Sequence, residues 1–230
     1  MAQLESLEGR TLGLFRFAGY GLLVLGLFDY INIFIPMQWL NPVWELQTMG
    51  NLVERVPIPF LGMVLVFYGE GAFREKLEKP ILKALSWAAL VVGILFLLLI
   101  PLGIRDTARI HSSNENLLKN QTNQQISQVQ QIQDRLKQAT SEQDITNVLT
   151  ILNKGNLPKL EAPQEVKNQV LSKLNVYEKN IQQQSSTILA NQLRDLLKIS
   201  VKWNLGALVS GALFIYLWRV TAWARFRRRF

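Results

Sequence analysis

The sequence predicts an all-α polytopic membrane protein with about four transmembrane helices and one extramembrane antiparallel helical hairpin, a coiled coil. Three observations predict this fold. Hydrophobic residues make up 49% of the 230 residues, but they are concentrated towards the two ends of the chain. Residues 105–200 are instead rich in Gln, Asn, Lys and Ser. Within this polar segment, apolar residues recur at alternating steps of four and three, which is typical of coiled coils.

The first predicted span covers residues 12–35, which are apolar except for Arg16 and Asp29. At about 1.5 Å per residue, this stretch is long enough to cross a hydrocarbon core about 30 Å thick. The residues before it have no basic start, and no small-residue cleavage site follows it, so we expect it to stay in the mature protein.

The next stretch is predicted to hold an interfacial helix and then the second span. Asn41 followed by Pro42 predicts a helix start, and residues 42–54 mix apolar with charged side chains, which favours a helix lying at the interface. Residues 56–72 are predicted to cross the membrane, with a re-entrant segment as the alternative because the uncharged run is short. Prolines at its start and a charged cluster around Arg74 favour crossing.

The strongest predicted span covers residues 81–104, and residues 201–230 hold the last span and a basic tail. Small residues at four-residue spacing, such as Ala89/Gly93 and Ala207/Gly211, predict a close approach of these two spans. Lys and Arg are concentrated near the N-terminus, around Arg74 and in the tail, which predicts that both termini are cytoplasmic. Residues 105–200 then lie in the periplasm or in the lumen of an internal membrane.

Asp29 and Arg55 are predicted to form a structural ion pair, because both enter their spans from the same side and an unpaired charge in a span is unfavourable. An ion or proton pathway is the alternative for Asp29. Other polar and aromatic residues near the span ends are predicted to anchor the protein in lipid. They are Arg16, Lys202, Trp203, Trp218, Arg219, Trp223, Arg225, Arg227, Arg228 and Arg229. Nucleic-acid binding by the basic tail is the less favoured interpretation.

The polar segment is predicted to be a hairpin of two arms of equal length. The outgoing seam is Leu118, Thr122, Gln125, Val129, Ile132, Leu136 and Ala139, and the returning seam is Val170, Leu174, Tyr177, Ile181, Gln184 and Ile188. A short helix opened by Ser141 is predicted at the tip. Polar seam positions either set the register or mark a groove for another helix. The candidate partner-docking residues are Thr122, Gln125, Val129, Ile132, Tyr177 and Gln184.

Little in the sequence points to catalysis or to a metal. The chain has no cysteine and one histidine, His111, which argues against cysteine and histidine metal centres. No nucleophile with a base and no glycine-rich phosphate loop occurs. We therefore expect a protein that is not an enzyme and has no cofactor of its own. We expect any bound lipid or pigment to come from a partner complex.

Three motifs in the first 70 residues resemble the cyanobacterial HpsJ-like membrane proteins: LGLFDYI (25–31), NPVW (41–44), and LVERVP (52–57) running into FLG (60–62). That family is named for a hormogonium-polysaccharide gene cluster. The resemblance implies a cyanobacterial plasma or thylakoid membrane and an exopolysaccharide-related role, and it supplies no catalytic residues.

The expected function is that of a non-enzymatic membrane scaffold or of an accessory or assembly subunit, whose hairpin docks a partner. The expected partners are membrane lipids together with a larger membrane protein complex or a second copy of the chain, and not nucleic acid. A subunit of a thylakoid photosynthetic complex is the alternative setting. A small transporter or channel is the alternative class, and it is less favoured because few polar residues interrupt the spans. A membrane sensor ranks third, because the cytoplasmic tail is too short to hold an output domain.

Overall fold

The computed structural model describes residues 2–70, 74, 78–139 and 163–225, and every regular element in these ranges is a helix. The elements are α1 (Ala2–Ile33), α2 (Pro42–Arg55), α3 (Pro57–Phe67), α4 (Glu78–Gln138), α5 (Pro163–Val220) and a short 3-10 helix (Thr221–Ala224). The prediction of an all-helical fold is confirmed for these residues. The helix predicted at the tip of the hairpin lies outside them.

The chain divides into two compact units. Unit 1 comprises Met1–Ile110 and Leu196–Phe230, and unit 2 comprises His111–Asp195. The two long helices α4 and α5 contribute to both units. Within the described residues, four helical stretches are long and apolar enough to cross a membrane: Arg10–Ile33, Pro42–Phe67, and parts of α4 and α5.

The second of these stretches combines two helices, α2 and α3. The helix α3 has 11 residues, which at about 1.5 Å per residue covers only about half of a hydrocarbon core. Val56 keeps right-handed helical dihedral angles between α2 and α3. The stretch that is long enough to cross is therefore Pro42–Phe67, with 26 residues. It includes α2, which matches the helix predicted at residues 42–54, and the interfacial position of that helix stays a prediction.

Glycines let α1 pack directly on α3. A Cβ atom built on Gly19 would lie 2.8 Å from the carbonyl oxygen of Gly62, and one built on Gly62 would lie 3.0 Å from the carbonyl oxygen of Gly19. Because each glycine faces the backbone of the other helix, a larger residue at either position would push the helices apart. The sequence of α1 thus encodes a specific neighbour as well as an exposed apolar surface.

The helices α4 and α5 pack antiparallel in unit 1. Gly93 faces the backbone of Gly211, and the rings of Phe96 and Phe214 stack with their centroids 6.1 Å apart. Hydrogen bonds between hydroxyl groups join Ser86 to Thr221 (2.8 Å) and Thr107 to Ser200 (2.7 Å). The predicted close approach at small residues is therefore present at Gly93 and Gly211.

In unit 2 the same two helices again lie side by side and antiparallel. Val129, Leu174 and Ile181 form a small buried cluster, and Ile126, Ile132 and Val170 pack around it. Thr122 donates a hydrogen bond to Ser185 (2.9 Å), and Gln133 donates one to Asn175 (3.2 Å). Both polar contacts cross from one helix to the other.

Part of the predicted seam is displaced by one residue. Gln125, Tyr177 and Gln184 are exposed, and their neighbours Ile126, Glu178 and Ser185 are partly buried instead. An alternating spacing of four and three residues fits two adjacent sets of positions on a helix. Ile126 is buried in place of Gln125 because it has more apolar surface to bury. The prediction of the returning seam was right at Val170, Leu174 and Ile181 and wrong at Tyr177, Gln184 and Ile188, which are exposed.

Candidate functional site

Four ionisable side chains of unit 1, none of them a predicted site residue, meet where the start of α2 lies beside α4. This acid-pair cluster consists of Glu45 from α2 and of Arg105, Asp106 and Arg109 from α4. Asp106 follows the apolar part of α4 by two residues, and Glu45 lies in the first turn of α2. The cluster is therefore positioned by two helix segments that carry charge next to apolar sequence.

The start of α2 is held by its cap and by Glu45. The side-chain oxygen of Asn41 accepts hydrogen bonds from the backbone N–H groups of Val43 (3.1 Å) and Trp44 (3.4 Å), which confirms the predicted cap. Glu45 Oε1 accepts a hydrogen bond from the N–H of Leu40 (3.0 Å). Leu40 has a positive φ of 72°, a conformation that is unfavourable by about 1–2 kcal/mol for a residue with a Cβ, so these contacts stabilise a strained turn.

Arginines of α4 complete the cluster. Arg109 Nη1 lies 3.2 Å from Asp106 Oδ1, and Arg109 Nη2 donates a hydrogen bond to the carbonyl oxygen of Leu40 (3.1 Å). Arg105 and Arg109 approach Glu45 Oε2 at 3.7 and 3.8 Å. The carboxylate of Asp106 is only 1% exposed and that of Glu45 12%, whereas the two arginines are 61% and 40% exposed. The acids thus lie inside and the guanidinium groups lie outside.

Two carboxyl oxygens of the cluster have no donor. Asp106 Oδ2 and Glu45 Oε2 are both buried, and neither accepts a hydrogen bond. Burial raises the pKa of Asp106, and contact with the Glu45 carboxyl group raises it further. A raised pKa means that the protonated form of Asp106 is stabilised relative to an acid in water.

The predicted pair of Asp29 and Arg55 is brought together, with Arg55 Nη1 3.0 Å from Asp29 Oδ1. Next to Arg55, Glu54 Oε1 accepts hydrogen bonds from Lys202 Nζ (2.7 Å) and from Trp203 Nε1 (3.2 Å). Lys202 and Trp203, which were predicted to anchor the protein in lipid, therefore connect α5 to α2.

Two other predicted lipid anchors also have protein partners. Arg16 is 13% exposed and lies 3.6 Å from Glu78 Oε2, which corrects the prediction that it extends to lipid headgroups. Arg225 donates a hydrogen bond to Ser86 Oγ (2.8 Å) and lies 4.3 Å above the ring of Trp218. Arg225 therefore packs on α4 and α5 and does not act as a free basic group of the tail.

The remaining anchors divide between packed and exposed positions. Trp223 lies edge-on to Phe67 with centroids 6.2 Å apart, and the guanidinium group of Arg74 lies 5.1 Å above the Trp223 ring. Arg74 also donates hydrogen bonds to carbonyl groups at the end of α3, such as Val66 (3.2 Å). Arg219 is exposed. Arg227, Arg228 and Arg229 lie outside the described residues.

Half of the predicted partner-docking residues already contact the facing helix within unit 2. Thr122, Val129 and Ile132 pack or hydrogen-bond between α4 and α5, so the prediction that they face a partner is corrected. Gln125, Tyr177 and Gln184 remain exposed, with Tyr177 at 57%. In the part of the chain that the structure describes, no group of three His, Asp or Glu residues is arranged to hold a metal ion.

The model of one protein family, described as HpsJ-like protein, matches residues 10–222. This match begins within α1, covers α2 to α5 and includes the whole of unit 2. No curated protein and no solved structure matches the chain.

Proposed function

Since the chain belongs to the HpsJ-like protein family, we propose that it is a non-enzymatic membrane scaffold or accessory subunit whose helix pair in unit 2 docks a partner protein. The apolar stretches of unit 1 hold the chain in the membrane. By the distribution of Lys and Arg, both termini are cytoplasmic and unit 2 is on the opposite side. The family name favours a setting in exopolysaccharide assembly, and a thylakoid photosynthetic complex is the other setting that the experiment below distinguishes.

The observation that carries this proposal is one exposed face of α5 in unit 2. Tyr177, Gln184 and Ile188 are separated by steps of seven and four, so they lie on the same side of the helix. Tyr177 is 57% exposed and Ile188 is 44% exposed. Large apolar side chains that lie together on a polar helix are candidates for burial by a partner.

The surroundings of this face suit a helix or another neutral surface. Residues 180–193 of α5 carry no charged side chain, and neither do residues 120–133 of α4. Interface centres are depleted in charge and enriched in tyrosine. The amide groups of Gln183 and Gln184 can donate and accept hydrogen bonds at the rim of such an interface.

The docking face is tested by removing Tyr177 from the full-length protein. Wild type and Tyr177→Ala, each with a cytoplasmic tag, are isolated from native membranes in mild detergent, and bound proteins are quantified by mass spectrometry. A central interface tyrosine contributes about 2 kcal/mol or more, so Tyr177→Ala should recover at least about tenfold less of the partner. The identity of the partner distinguishes polysaccharide assembly from a photosynthetic complex.

Val176→Ala is the matched control, because Val176 is equally exposed at 55% but lies about 100° around the helix from Tyr177. It should retain the partner. Recovery of the wild type alone and monomeric would refute the docking proposal. Equal recovery of the partner by both variants would show that this face of α5 is not the docking surface.

A further inference from the structure

The acid-pair cluster points to a role that the docking proposal does not use. We propose that Glu45 and Asp106 share one proton, and that this shared proton is a pH-sensitive latch that holds the start of α2 against α4. The inference concerns unit 1 alone and does not depend on whether unit 2 docks a partner.

Two carboxyl oxygen atoms of the cluster are buried without a donor. Asp106 Oδ2 and Glu45 Oε2 are buried, although no N–H or O–H group of the described residues donates to them. Buried carboxyl oxygens are normally hydrogen-bonded, so each exception requires an explanation. A proton on one carboxyl group would form a hydrogen bond to the other and would explain both atoms. The two carboxyl groups are neighbours, because Arg109 Nη1 lies 3.2 Å from Asp106 Oδ1 and 3.8 Å from Glu45 Oε2.

The arginines that face the two carboxyl groups do not replace this proton. Arg105 and Arg109 both approach Asp106 through Oδ1, and neither is within 3.5 Å of Glu45 Oε2. Both guanidinium groups are well exposed, so water weakens their effect. From α5, the uncharged residues Ser200 and Asn204 contact this part of α4, and the turn before α2 contributes the carbonyl group of Leu40.

The shared proton is linked to the conformation of the turn at Leu40. Glu45 accepts from the N–H of Leu40, and Arg109 donates to the carbonyl group of Leu40. The cluster therefore restrains the segment between α1 and α2, where Leu40 has a positive φ. When the shared proton passes to water, two carboxylates face each other at this point. Their repulsion loosens Glu45 and the strained turn that it holds.

The direction of the pH dependence follows from the raised pKa of Asp106. The folded state binds this proton more tightly than the unfolded chain does. The stabilising contribution is therefore fully present below the pKa of an ordinary aspartic acid, and it is lost as the pH rises through the raised pKa of the folded state. The latch is closed at low pH and open at high pH.

The test uses full-length protein in lipid nanodiscs, titrated from about pH 5 to about pH 9, a range above the ordinary pKa of Asp and Glu. Infrared spectroscopy follows the C=O band of protonated carboxyl groups, and amide hydrogen exchange, corrected for its intrinsic pH dependence, follows residues 34–46. As the pH rises, we expect the wild type to lose one protonated carboxyl group. The rate of amide hydrogen exchange at Leu40 should increase by about tenfold or more over the same range.

Asp106→Asn should abolish both changes, because its amide donates to Glu45 at every pH. If this variant does not fold, Glu45→Gln provides the same substitution from the other side. Glu115→Gln is the matched control: Glu115 is held ionised by its hydrogen bond to Lys119, which lowers its pKa, so this variant should behave as wild type. A wild type without a titrating carboxyl band, or variants that retain it, would overturn the proposal.

Discussion

Substitution of Gly93 by alanine should destabilise the contact between α4 and α5. A Cβ atom at this position would lie 2.8 Å from Ile215 Cγ1, 3.1 Å from the carbonyl oxygen of Gly211 and 3.2 Å from the backbone nitrogen of Ile215. Two of these three atoms belong to the backbone and cannot rotate away. The helices must therefore separate by a few tenths of an ångström.

The expected loss combines two opposing effects. Overpacking of a close contact typically destabilises by about 1–3 kcal/mol, and the separation also loosens the stacked rings of Phe96 and Phe214. Replacing glycine by alanine inside a helix stabilises by up to about 1 kcal/mol. We expect a net decrease of about 1–2 kcal/mol in the free energy of unfolding, which in a protein of this size lowers Tm by about 2–8 °C.

The assay is thermal unfolding of the full-length protein in mild detergent, followed by circular dichroism. Gly21→Ala is the control, since no atom lies within 4 Å of the Cβ position at Gly21, and it should leave Tm unchanged or raise it. If Gly93→Ala is as stable as Gly21→Ala, α4 and α5 do not pack through Gly93 and Gly211, and the packing argument for unit 1 is refuted.

Two further predictions concern the ion pair and the orientation. In a double-mutant cycle of Asp29→Asn and Arg55→Gln, chemical unfolding should give a coupling free energy of about 0.2–1 kcal/mol. The value is small because both side chains are more than one-third exposed. A coupling free energy of zero would show that the pair does not stabilise the fold. Because the chain has no cysteine, Gln184→Cys provides a single label site. It should react with an impermeant maleimide from the non-cytoplasmic side, and reaction only after access to the cytoplasmic side would reverse the proposed orientation.

Much of the fold could be predicted because its signals are local in the sequence. Apolar stretches of about 20 residues can be recognised because a helix needs this length to cross a bilayer. The helix cap at Asn41 can be recognised because it depends only on neighbouring residues. The pairing of Asp29 with Arg55 could also be anticipated, since a charge within an apolar stretch requires a partner at the same depth. The seam at Leu174 and Ile181 follows from the helical period in the same way.

Other features could not be predicted because they depend on which helices meet. Arg16 and Arg225 resemble lipid anchors in sequence, yet each has a protein partner in Glu78 or Ser86. The choice between Gln125 and Ile126 required knowledge of the facing helix, because either residue fits an alternation of four and three. Gln184 was placed one residue away from the seam for the same reason.

The sequence by itself determined that this protein is helical, that it has four apolar stretches suited to a membrane, and that its middle third is polar. These properties follow from composition and period, which do not require knowledge of neighbours. Only the tertiary structure decided that α2 and α3 follow each other in one helical stretch, Pro42–Phe67, and that Glu45 meets Asp106. The two acids are about 60 residues apart in the chain, so their contact exists only because α2 packs against α4.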